Sequence, residues 1–171
     1  IVSRCEVLRL RPLPTGDVEA YLTQRGTDPA QARLLASLSG GRPGAAIRLY
    51  DNPDSLSTRA ERLDDFFRLL RAPRRERFAY AEKMTKDKDA LRAALLTWGA
   101  CWRDVMLRAA KPGAAIANLD YEPAIADLAA HLGLPAARRM VSLMEQSVER
   151  LEKNVNARLL VETLMLDWPR V

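Results

Sequence analysis

Arginine is the side chain in this sequence best placed to do chemistry, and it occurs in two settings. The first is Arg4, within Ile1 to Arg11 (IVSRCEVLRLR). Val2, Val7, Leu8 and Leu10 are strand formers, yet one short strand is not stable alone. No later stretch offers it a partner, so an arginine at that strand end is expected to be held towards a neighbouring subunit. The second is the run Arg68, Arg71, Arg74, Arg75 and Arg77, which spans one helix end and the next helix start. Arg74, Arg75 and Arg77 are candidate contacts to phosphate or to an acidic partner. The alternative is plain cationic stabilisation of a helix C-terminus together with solubility. Only Phe78 interleaves with these arginines, and helical spacing turns it inward. Stacking on single-stranded bases is therefore not supported.

Other reactive constellations are missing. No GxxxxGK[ST] loop cradles phosphates, and there is no HExxH. The single histidine, His131, reads as a helix-end or surface residue rather than a catalyst. Asp64-Asp65 and the Asp87/Asp89 pair read as caps and surface charge rather than acid/base pairs. Ser37 and Ser39 have no base nearby in sequence to activate them. Cys5 and Cys101 are the only cysteines. Without a CxxC pair they make no zinc site, and two free buried thiols are expected rather than a disulfide. Trp98 and Trp102, which flank Cys101, read as core. No active site and no cofactor is expected within this chain.

The elements that must position these residues are helical. The chain has 171 residues, 48% hydrophobic, 29% charged and only 6% aromatic, with a formal net charge of +5. That balance excludes disorder and favours helix. No apolar run approaches the roughly 18 residues of a membrane span. With no initiator Met and no signal-peptide pattern, the chain reads as an internal or C-terminal fragment of a cytoplasmic protein. The fold class expected is all-α with a short residual strand at the N-terminus. Pro12-Leu13-Pro14 breaks the strand. Helices follow from Thr15 to about Gln24, from Asp28-Pro29 onward, and from about Pro43 to Tyr50, forming a small three-helix bundle. Asn52-Pro53-Asp54 is a natural boundary. Beyond it six helices are expected: about Pro53 to Arg71, Pro73 to Met84, Asp87 to Ala110, Tyr121 to His131, Pro135 to Lys153 and Asn156 to Trp168. Glycines in Gly40-Gly41-Arg42-Pro43-Gly44 would give a tight turn into the third helix.

Taken together, the chain resembles the clamp-loader branch of the AAA+ ATPases, and within it the delta-prime group of bacterial DNA polymerase III subunits. Three stretches carry the resemblance. Ser3-Arg4-Cys5 followed by VLRLRPL is similar to the SRC motif closing the AAA+ core. Leu38 to Leu49 (LSGGRPGAAIRL) resembles the second-sensor helix of the lid. Asn154 to Leu164 (NVNARLLVETL) resembles the closing N-x-N-x-R-L-x-x-E-x-L pattern of the collar.

The resemblance implies that residues 1–11 are the tail of the AAA+ core, 12–52 a three-helix lid, and 53–171 a collar domain through which five subunits form a ring. It implies that Arg4 is an arginine finger supplied in trans to a neighbour's ATP site, where it would neutralise charge developing on the transferred phosphate. Asn154, Asn156 and Arg158 would lie at a subunit interface. The partners implied are the gamma/tau and delta subunits, with the sliding clamp and primed DNA reached through the complex. ATP-binding subunits place an arginine about three residues after the lid-helix glycine; counting from Gly41, that position is Gly44. This departure favours a non-hydrolysing stator over a motor subunit. The rival readings are an ATPase motor of the same complex and a helical DNA-binding domain using the basic run.

Overall fold

Proline and aspartate divide the chain into helices at the places where their chemistry requires it. In the computed structural model, residues 11–153 and 155–171 are described. The expected N-terminal strand and Arg4 lie outside them, as does Asn154. The chain divides into two compact units, between Asp51 and Asn52.

The first unit contains α1 (Thr15–Gln24), α2 (Pro29–Ser39) and α3 (Pro43–Asp51). Asp28 caps α2 by accepting from Ala30 N and Gln31 N at 3.0 and 3.1 Å, with Pro29 in the first turn, where no N–H is missed. Val18 and Leu22 of α1 pack with Ala32, Leu35 and Ala36 of α2 and Ala46 of α3 as the buried core. Gly40 ends α2 in the left-handed conformation. Gly41, at φ +76°, is buried against the segment before α1, and Leu13 N donates to its carbonyl at 2.8 Å.

The second unit contains α4 (Pro53–Arg71), α5 (Arg74–Met84), α6 (Lys88–Ala110), α7 (Glu122–Glu152) and α8 (Ala157–Asp167). A single 3-10 turn, Leu119–Tyr121, precedes α7. The two helices expected on either side of Gly133 are one element broken there: Gly133 has φ +71° and ψ 171°, and Pro135 follows. No strand occurs among the described residues, and none of their helices is long and apolar enough to cross a membrane.

The core of this unit is aromatic. Phe66 of α4 meets Trp102 of α6 and Trp168 after α8 edge-on, with ring centroids 5.1 and 5.2 Å apart, and Trp98 meets Trp168 at 5.1 Å. Such edge-to-face packing adds about 0.5–1.5 kcal/mol per pair beyond area burial. Trp98 Nε1 also donates to Arg62 O at 2.8 Å, joining α6 to α4. Cys101 lies in this core as a free thiol.

The loop before α7 is held by buried Asp104 of α6. Its carboxylate accepts from Ala117 N, Asn118 N and Asn118 Nδ2, the last two at 2.8 and 2.6 Å. Arg59 of α4 then bonds Asn118 Oδ1 and both oxygens of Asp120.

Candidate functional site

The side chains singled out in the sequence separate into three environments. Asn156 and Arg158 open α8. Asn156 Oδ1 accepts from Leu159 N at 3.0 Å, so the asparagine caps the helix, one of the strongest roles its side chain has. Arg158 Nε donates to Glu162 Oε1 at 2.8 Å, one turn along, and its guanidinium lies 3.8 Å from Glu82 of α5. These two acids raise the arginine's pKa, the Glu162 hydrogen bond first. Both residues thereby orient the start of α8.

The face that α8 presents was not read from the sequence. Leu160, Val161, Leu164 and Met165 point into the core. Leu159 and Leu166 are 61% and 50% exposed on the opposite side, and Val155 just before the helix is 44% exposed. Val155 and Leu159, with Thr163, line a depression against Leu143, Ser147 and Arg150 of α7. The signal was present: a helix apolar on both sides buries one side in its own domain and leaves the other for a partner. A second apolar depression lies between α6 and α7, with Leu96 and Gly99 of α6 facing Met144 and Val148, rimmed by Glu145, Glu149 and Glu152. Leu96 is 46% exposed.

The basic run divides. Arg74 and Arg75 are exposed in the first turn of α5, whereas Arg77 is 2% exposed. Arg77 Nε donates to Leu69 O at 2.8 Å, Nη1 to Met165 O and Trp168 O, and Nη2 to Leu70 O and Pro169 O. A guanidinium has five N–H donors, and here each meets a backbone carbonyl. No donor remains for a phosphate, so Arg77 leaves the set of candidate phosphate contacts. Burial lowers its pKa, and the charges of Arg170 and Arg74 add to that effect.

The acidic clusters are structural. Asp64 accepts from Tyr121 Oη at 2.7 Å; Asp65 accepts from Arg68 and Tyr80; Asp87 caps α6 through Asp89 N and Ala90 N. Ser39 donates to Ala36 O within its own helix. His131 is exposed beside Asp127 and Arg71. Among the described residues no group of three or more His, Cys, Asp or Glu side chains converges as metal ligands would.

The second unit thus carries outward apolar residues on α6, α7 and α8 around an aromatic core. Residues 53–170 match the family described as DNA polymerase III, delta subunit, C terminal. The chain belongs to that family. It is a clamp-loader subunit, and its work is in DNA replication. The match begins at Pro53, the first residue of α4, and ends at Arg170, so it takes in the whole helical unit that carries these faces. No curated protein matches the chain.

Proposed function

We propose that this chain belongs to a non-hydrolysing, delta-prime-type subunit of the bacterial replicative clamp loader. Its helical second unit assembles with gamma/tau and delta subunits in the cytoplasm so that the ring can load the sliding clamp on primed DNA. Arg4 serves as the finger completing a neighbour's ATP site. Assembly is supported by α8, whose outward Leu159 and Leu166 lie in the family's own domain.

The observation that carries the stator reading is the opening turn of α3. Gly44 stands where the resemblance calls for an arginine in ATP-binding subunits, and Arg42 lies before the helix, exposed. One geometric fact favours the rival motor reading. Arg48 Nη1 lies 3.8 Å from where a Cβ on Gly44 would sit, so an arginine does fold back over that turn.

Arg4→Ala in the full-length subunit, reconstituted with its partners, separates these roles. Assembly should survive while ATP hydrolysis by the complex slows; unchanged hydrolysis would remove the finger role. The 171-residue chain alone should show no rise in melting temperature with ATP, and a rise abolished by Arg48→Ala would establish the motor reading instead.

A further inference from the structure

One corner of the helical unit gathers exposed positive charge that forms no ion pair among the described residues. α4 ends at Arg71, and α5 starts at Arg74 after the Ala72-Pro73 turn. The chain after α8 runs back onto this corner: Val171 N donates to Leu70 O at 3.4 Å, and Arg77 holds Leu70 O and Pro169 O from one nitrogen at 2.9 and 3.1 Å. Arg170 is thereby delivered, from far along the sequence, to the neighbourhood of Arg71, Arg74 and Arg75. All four are exposed. Burial lowers the pKa of Arg77, and the nearby charges of Arg170 and Arg74 lower it further.

The contrast with other arginines of the unit is informative. Arg59, Arg68, Arg92, Arg108, Arg139 and Arg158 each pair with an Asp or Glu. The acids nearest the basic corner are committed elsewhere or make no bond to it. Glu76 of α5 and Asp65 of α4 hold Arg68; Asp167 holds Arg139. Asp127 of α7 lines a depression with Arg71 without an ion pair between them. Like charges held together without counter-charge favour any anion that can span them, and guanidinium forks match phosphate oxygens.

We propose that Arg71, Arg74, Arg75 and Arg170 form one docking face for the phosphodiester backbone of duplex DNA, without base specificity. A protein partner is the poorer fit, because interfaces need an apolar centre. The large exposed apolar residues of this unit lie on α6, α7 and α8 and just before α8, and only Val171 borders the corner. Base stacking is a poorer fit still, since the nearby rings are half-buried and the Tyr80 hydroxyl is bound to Asp65. This inference goes beyond the assembly role and stands without it.

Fluorescence anisotropy of the 171-residue chain against a short labelled duplex tests it. The slope of log affinity against log salt should be about −3 to −4, roughly −0.9 for each arginine engaged. Arg74→Gln, Arg75→Gln and Arg170→Gln together should weaken binding about tenfold or more and flatten the slope by about 0.9 per arginine removed. The charge-matched control Arg11→Gln, Arg33→Gln and Arg138→Gln should keep most of both. Equal losses in the two triple variants would overturn the proposal, as would capture of poly-glutamate but not of duplex. Co-purification with clamp-loader partners is read in parallel. A corner variant that assembles normally yet fails to bind duplex supports the proposal; a chain that binds duplex through the corner but never assembles sinks the assembly reading alone.

Discussion

Arg77 and Trp168 lie far apart in the sequence yet are joined by a 3.1 Å hydrogen bond from Arg77 Nη1 to the tryptophan carbonyl. The same guanidinium holds Leu69 O and Leu70 O, near the C-terminus of α4. The last carbonyls of a helix have no partner within it and carry the negative end of its dipole. One buried cation answers two such ends at once, α4 through Leu69 and Leu70 and α8 through Met165. It also pins the turn that puts the Trp168 ring against Phe66 and Trp98.

Arg77→Met should therefore leave Met165 O, Trp168 O and Pro169 O without a donor, while Leu69 O and Leu70 O keep Ala72 N and Val171 N, and destabilise the helical unit by about 3 kcal/mol or more, at about 1–3 kcal/mol per buried acceptor left unpaired. Arg77→Lys should recover little, because an ammonium has three donors and no fork. Arg68→Ala, at an arginine 45% exposed, should cost under about 1 kcal/mol. Urea unfolding followed by tryptophan fluorescence checks all three. A loss at Arg77 no larger than that at Arg68 would contradict the role described.

The first unit has its own sensitive position. A Cβ on Gly41 would lie 2.0 Å from Leu13 O, and the residue sits at φ +76°, so Gly41→Ala meets both a backbone clash and a disfavoured conformation. Gly40, at φ +57°, has nothing within 4 Å, and its alanine variant should cost only the left-handed penalty of about 1 kcal/mol. Thermal unfolding of the two variants should separate them clearly, with Gly41→Ala the worse.

Alkaline pH should weaken the fold in a defined order. Burial pushes the Cys101 thiol up, and the neighbouring Asp104 charge adds to the effect. A group whose folded pKa is raised contributes stability that is complete below its unfolded pKa and lost as pH climbs towards the folded value. Loss should begin near the free-thiol value of about 8.5 and proceed at up to about 1.4 kcal/mol per pH unit. Tyr80 and Tyr121, both raised by desolvation and then by their hydrogen bonds to Asp65 and Asp64, should join above about pH 10. Cys101→Ala should flatten the first part of that decline and leave the second. Urea midpoints across pH 7 to 11 test this, and an unchanged slope between about pH 8.5 and 10 would contradict it.

The helices were legible because local chemistry makes them. Asp28-Pro29, Asp87 and Asn156 mark helix starts by side-chain capping or a missing N–H, and Gly133 with Pro135 marks a break. Val18, Leu35, Phe66, Trp98 and Trp102 followed from helical spacing. Arg77 could not be read in this way. Exposed arginines stand two and three residues before it, and three of the five carbonyls that draw it inward are 88 to 92 residues away. Arg170 was missed for the same reason, since a hydrogen bond at Leu70 brings it to the basic corner. The outward face of α8 was written in the sequence as too many leucines for one stripe, but which ones stay outside depends on where α7 lies.

That face supports the sharpest test of assembly. Leu159 is 61% exposed and Leu166 is 50% exposed, so replacing them removes no core packing. Leu159→Asp with Leu166→Asp should leave the melting temperature within about 2–4 °C, as expected for surface changes within about 0.5 kcal/mol each. The same pair should reduce co-purification with clamp-loader partners at least tenfold, because a buried unpaired carboxylate in an interface costs well over about 1.4 kcal/mol. Leu160→Asp is the contrast: at 6% exposure it belongs to the domain's own core and should lower the melting temperature first. Normal assembly by the double variant would show that partners approach another side, with the α6–α7 depression around Leu96 and Met144 the next to substitute.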